Sequence, residues 1–155
     1  MKQDVKKVSH LKSHIGFWMR LVSNQVSSSF ARKLEKSGVT VAEWVVLREM
    51  FDCGDTFPPS QIAELTGLSR GAVSKLTDRL LEKKMVTRKE SETDRRYQEL
   101  KLTKEAKVLI PKLGVLADEN DDQFFSVLTK AERKTLTDLL MKTAELNQFN
   151  KMPIQ

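Results

Sequence analysis

The chain holds a single cysteine, Cys53, so no internal disulfide can form and no cysteine-rich metal cluster can assemble. Histidine is almost as scarce. His10 and His14 lie four apart and share one helix face, but no carboxylate completes a recognisable metal site with them. No apolar run reaches the roughly 18 residues that span a bilayer, and no signal-peptide pattern opens the chain; a cytoplasmic protein is expected. Also missing are a nucleophile–base motif, a phosphate-binding glycine loop and a dinucleotide fingerprint. An enzyme is therefore not expected, nor a cofactor. The acidic run Asp118-Glu119-Asn120-Asp121-Asp122 reads as a solvated helix face rather than a cation site. No internal repeat or low-complexity linker interrupts the chain.

What is present is a basic, helix-forming chain. Its 155 residues make one compact domain, or a small domain with helical extensions. A 39% hydrophobic content can bury a core, and 31% charged residues argue for a helix-rich surface. The net charge of +6 suits a polyanionic partner without naming one.

Apolar residues place the elements. Leu11, Ile15, Trp18, Val22, Val26 and Phe30 recur every three or four positions, which predicts a long helix from about Ser9 to Lys36, behind a polar, frayed segment 1–8. Gly38 ends it. Thr40 and Glu43 form a capping box for a second helix that stops before Cys53. Pro58-Pro59-Ser60 opens a short helix, Gly67 supplies a turn, and Ser69 caps a further helix to about Lys83. The buried stripe of that helix is expected at Val73, Leu76, Leu80 and Leu81, with Arg70, Ser74, Lys75, Thr77 and Asp78 outside it. Short alternating runs at 86–89 and 97–102 read as a hairpin whose loop, Glu90 to Asp94, is too polar to pack. Thr103 starts a helix bearing Val108, Leu109, Leu113 and Leu116 and running to about Val127. Thr129 and Glu132 cap the last helix, striped by Leu136, Leu139, Leu140 and Leu146.

Helix, glycine turn, capped helix and charged hairpin form a winged helix-turn-helix, in which one helix enters a DNA major groove and the hairpin reaches the backbone beside it. Charge supports the assignment. Residues 69–101 carry ten cations against six anions, a net of +4 out of the chain's +6. The expected fold is mainly α with a small β-hairpin wing. A first helix over 1–36 and C-terminal helices over 104–155 serve dimerisation, and 37–103 is the DNA-binding lobe.

Four stretches resemble the MarR family of bacterial transcriptional regulators. Gly38 to Leu47 looks like the family segment that opens its second helix. Ile62 to Ser69 is similar to its first motif helix and turn. Ser74-Lys75-Leu76-Thr77-Asp78-Arg79-Leu80 matches its recognition-helix pattern. Asp94-Arg95-Arg96 followed by Leu102-Thr103 matches its wing signature. There are two departures. Lys75 stands where many members have Arg, which weakens bidentate reading of guanine. Lys84 stands where the family usually has Gly, which calls the shape of that helix end into question.

The resemblance implies that Arg70, Ala72, Ser74 and Lys75 face bases or phosphates in the major groove. Arg96, with Arg95 nearby, would extend toward the minor groove, whose negative potential suits a guanidinium. Asp94 would orient that loop rather than touch DNA. Arg79 joins the candidate contacts, although Asp78 and Arg79 read equally well as scaffold ion pairs. The implied partners are double-stranded DNA and a second copy of the chain, since one module buries too little surface for operator specificity. The implied activity is ligand-responsive repression by a homodimer at a pseudo-palindromic operator, the effector being a small aromatic or phenolic molecule. His14, Phe17, Trp18 and Trp44 are the candidate effector contacts, with ordinary core and interface packing as the plainer reading of the three aromatics. The alternatives are a winged-helix adaptor that binds protein instead of DNA, and a redox-sensing regulator using Cys53, which otherwise reads as a semi-buried thiol.

Overall fold

The computed structural model describes residues 8–154. A 3-10 turn at Leu11–Ser13 precedes α1 (Ile15–Glu35). The first helix thus begins six residues later than its apolar spacing predicts, because His14 takes an extended conformation (φ −86°, ψ 128°) and separates the two. The expected frayed start lies almost wholly outside the described residues. Gly38, at φ 69°, turns the chain after α1, and α2 (Val41–Asp52) starts at the predicted capping box. There the Glu43 N–H donates to Thr40 Oγ1, and Glu43 Oε2 accepts from the Thr40 N–H.

Next come β1 (Thr56–Phe57), α3 (Pro59–Thr66) and α4 (Arg70–Glu82). The hairpin of β2 (Val86–Glu90) and β3 (Gln98–Leu102) follows. The chain closes with α5 (Lys104–Phe125) and α6 (Lys130–Leu146), the latter on its own capping box from Thr129 and Glu132. The sheet is antiparallel in the order β1-β3-β2. The sequence reading anticipated only the hairpin; β1 was missed because two residues are too few for any alternation to register. Phe57 of β1 pairs with Leu100 in register and is buried with it. Val86 pairs with Leu102 on the other side of the sheet's central strand.

The core gathers Leu34, Val46, Leu47, Met50, Ile62, Leu76, Leu80, Ile110 and Leu113 with these sheet residues. It therefore lies in the lobe where α2 through β3 meet the start of α5. Val108 of α5 is 62% exposed, whereas Leu113 on the same helix is buried. Asn120, expected on a solvated face, is buried; its amide donates to the Val26 carbonyl (3.1 Å) and it accepts from Lys33 (3.1 Å), which ties α5 to α1.

The stripes of α1 and α6 remain uncovered within one chain. Ile15, Trp18, Val22, Leu136, Leu139 and Leu140 are all exposed, and no residue of α6 is buried.

Candidate nucleic-acid interface

The positions of α3 and α4 follow from local chemistry. Gly67 adopts φ 73°, a left-handed conformation that glycine enters without steric cost. Ser69 then caps α4 by accepting the Ala72 N–H at 3.2 Å. Val73, Leu76 and Leu80 bury the inner stripe, while Leu81 is half-buried. Thr77, expected outside that stripe, is buried instead, and its hydroxyl has no hydrogen-bond partner among the described residues. Arg70, Ser74 and Lys75 lie on the opposite, exposed side, and Ala72 is half-buried beside them.

Helix α2 and the turn before it grip the far end of α4. Glu43 is fully buried on α2, and both its oxygens accept from Lys83 Nζ, at 2.9 and 2.8 Å. Lys83 also donates to the Gly38 carbonyl at 2.7 Å, and Arg79 Nε stands 3.6 Å from Glu43. A buried carboxylate left without such partners would cost several kcal/mol, so this cluster fixes α4 against α2. Arg79 and Asp78 are both engaged in the scaffold, Asp78 with Arg88 at 3.5 Å. No sequence signal marked the Glu43–Lys83 link, because its partners lie 40 positions apart.

On the wing, Asp94 accepts three bonds from Arg96: the backbone N–H at 3.0 Å, Nε at 3.2 Å and Nη2 at 3.2 Å. These bonds, the side-chain ones first, hold the Asp94 carboxyl below its ordinary pKa. They also fix an arginine whose side chain is 88% exposed. The loop is not merely polar froth: Ser91 is buried, its N–H donates to the Tyr97 carbonyl (2.9 Å), and its hydroxyl meets that of Thr93 (3.0 Å). Among the described residues Arg70, Lys75 and Arg95 make no salt bridge. Exposed cations without a carboxylate partner therefore mark one helix face and the tip of the wing.

Between α3, α4 and the sheet lies a cavity of about 720 Å³. Ala63, Val73 and Leu100 give it apolar walls, Arg70, Arg88 and Glu64 supply charge of both signs, and the buried Thr77 lines it. The sequence reading located the effector contacts elsewhere, and the chain does not bring those residues together. Phe17 and Trp18 stack edge to face (5.2 Å) near the start of α1, with His14 exposed beside them. Trp44 instead packs on Phe30 (6.0 Å), about 18 Å further along that helix at 1.5 Å per residue. Cys53 is exposed, not semi-buried, at the C-cap of α2.

Residues 37–96 match the model of the MarR family. The transcriptional repressor MdtR of Bacillus subtilis is 27% identical over 91% of this chain and 90% of its own length. Among solved structures, BpsR of Bordetella bronchiseptica, whose DNA binding is regulated by 6-hydroxynicotinic acid, superimposes with a TM-score of 0.77 at 23% identity. That match covers 89% of this chain and 98% of BpsR. A MarR mutant from E. coli complexed with operator DNA gives 0.73 at 24%, covering 87% and 99%. At such identities these two structural likenesses establish the fold.

Proposed function

Because this chain belongs to the MarR family of transcriptional regulators, we propose that two copies of it read a pseudo-palindromic duplex and repress the gene beside it. In this reading Arg70, Ala72, Ser74 and Lys75 enter the major groove and Arg96, with Arg95, the minor groove, while Asp94 positions Arg96. One observation carries the assignment: the exposed face of α4 and the Arg96 guanidinium, held outward by Asp94, are cationic and unobstructed. Residues 37–103 act as the reading lobe. The segments 1–36 and 104–155 pair through the uncovered stripes of α1 and α6, as exposed apolar patches of that kind do. Repression follows from a dimer occluding a promoter. A small aromatic or phenolic effector, accommodated by the cavity against α4, shifts the population between binding and non-binding dimers; a volume of this size lies within the range of ligand sites.

The test is selection of duplexes from a random pool, followed by titration of the selected duplex at increasing salt. Affinity should fall steeply as salt rises, because phosphate contacts release counterions. Arg96→Ala should weaken binding about ten-fold or more per protomer. A panel of phenols and aromatic acids added to the complex should contain at least one that releases the duplex. Selection that returns no preferred sequence, with salt-insensitive binding, would identify a protein-binding adaptor instead.

A further inference from the structure

The last four carbonyls of an α-helix have no partner within it. In α3 these belong to Ala63, Glu64, Leu65 and Thr66. The Gly67 N–H answers Ala63 at 2.8 Å. The next two are answered from the far end of the chain: Lys151 Nζ donates to the Glu64 carbonyl at 2.6 Å, and the Met152 N–H to the Leu65 carbonyl at 2.9 Å. An ammonium placed there also meets the negative end of the α3 dipole. The Lys151 stem crosses Gly67 itself, with Cγ and Cδ 3.7 Å from where a Cβ on that glycine would sit. Ser69, the cap of the recognition helix, is two residues further on.

The route back to α3 is built into the end of α6. Gln148 takes φ 57°, while its N–H donates to the Glu145 carbonyl (3.0 Å) and the Phe149 N–H to the Ala144 carbonyl (2.9 Å). This reversal ends the helix and redirects the chain onto the helix-turn-helix, where Met152 and Ile154 become half-buried. The same segment thus ends a helix whose apolar face is uncovered and caps the helix preceding the groove-facing one.

From this arrangement we infer that residues 148–152 form a strap between α6 and the turn of the reading motif, and that Lys151 is a positioning residue for DNA recognition. It sets where the N-terminus of α4 stands, so a displacement of α6 within a dimer reaches Arg70 and Ser74 through the strap. Lys151 acts through α3 and makes no contact with DNA. The inference rests on the DNA-reading function proposed above.

The experiment compares the full chain with Lys151→Ala, Lys151→Arg and a form ending at Gln148. Amide exchange needs no DNA. In the alanine and shortened forms the hydrogen-bonded amides within residues 67–72, those of Gly67, Leu68 and Ala72, should exchange about ten-fold faster, the loss expected for a hydrogen bond worth about 1.4 kcal/mol, while residues 91–97 of the wing keep the parent's rates. On the duplex selected by the parent, affinity should fall about five- to ten-fold. Affinity for an unrelated duplex of equal length and the slope of affinity against salt should hold, and arginine should restore the parent's values. A slope reduced by about two, one phosphate contact per protomer, with both duplexes weakened equally would make Lys151 a phosphate contact and overturn the positioning role. Unchanged exchange at 67–72 would overturn the strap. If no duplex is bound by any form, the DNA reading fails and the exchange result alone decides whether the strap exists.

Discussion

Lys84 sits in a left-handed conformation, φ 56°, just after α4. The resemblance puts glycine at this position, and the departure raises the question of whether the helix end changes shape. It does not. The lysine accepts the conformation a glycine would take, and its carbonyl receives the Thr103 hydroxyl at 2.8 Å while Thr103 caps α5 through the Ala106 N–H at 3.1 Å. A residue with a Cβ pays about 1 kcal/mol or more for this region. Lys84→Gly should therefore raise stability by about 1 kcal/mol, an increase in Tm of about 3 °C for a chain of this size. Thermal unfolding checks it; an unchanged or lower Tm would show that the surrounding bonds, not the backbone, bear the cost. Glu43 illustrates the opposite case, a residue legible only in part. Its role in the capping box is written in the spacing to Thr40, but its burial against Lys83 and Arg79 is not.

The bonds that hold Arg96 in the wing depend on the charge of one carboxylate. Asp94 has its pKa lowered by the bonds from Arg96. A depressed pKa contributes order that is complete above the unfolded value, about pH 4, and is lost as pH falls through the lower folded value. The Arg96 backbone amide resonance should accordingly hold its position from neutrality to about pH 4 and shift only below it, tracking the Asp94 carboxyl. Asp94→Asn should show the shifted position at every pH. A resonance already moving well above pH 4 would mean that another group governs the loop. The sheet teaches the same lesson about elements: β2 and β3 announce themselves by alternation, whereas β1 exists only because Thr56 and Phe57 find Lys101 and Leu100 across from them.

For the molecule as a whole, the uncovered faces of α1 and α6 matter most. Leu139 and Leu140 stand 57% and 44% exposed on the last helix. If they meet a second copy, Leu139→Glu with Leu140→Glu should convert a dimer to a monomer in sedimentation equilibrium and abolish high-affinity duplex binding. The lobe's own core, which excludes both residues, should keep the secondary structure intact. A parent chain that sediments as a monomer, or a variant that still dimerises, would place the interface elsewhere. Asn120 and Lys33 belong to this scale too, since their bond holds α5 along α1 and so sets how the two exposed stripes lie relative to the lobe.

Local chemistry was enough for the order of the six helices and the hairpin: capping boxes at Thr40 and Thr129, the glycine turn at Gly67, the cap at Ser69 and the charged hairpin are interactions within a few residues, so spacing encodes them. The exposed cations of α4 were legible from their spacing, whereas the role of Asp94 in orienting its loop came from the resemblance and its partner Arg96 from the structure. Tertiary structure alone decided which side of α4 Thr77 faces, that Trp44 packs on Phe30 far from Trp18, that Lys83 reaches Glu43 and that Lys151 caps α3. Each of these joins groups distant in the chain, and a contact between such groups is set by how whole elements pack, which no local pattern records.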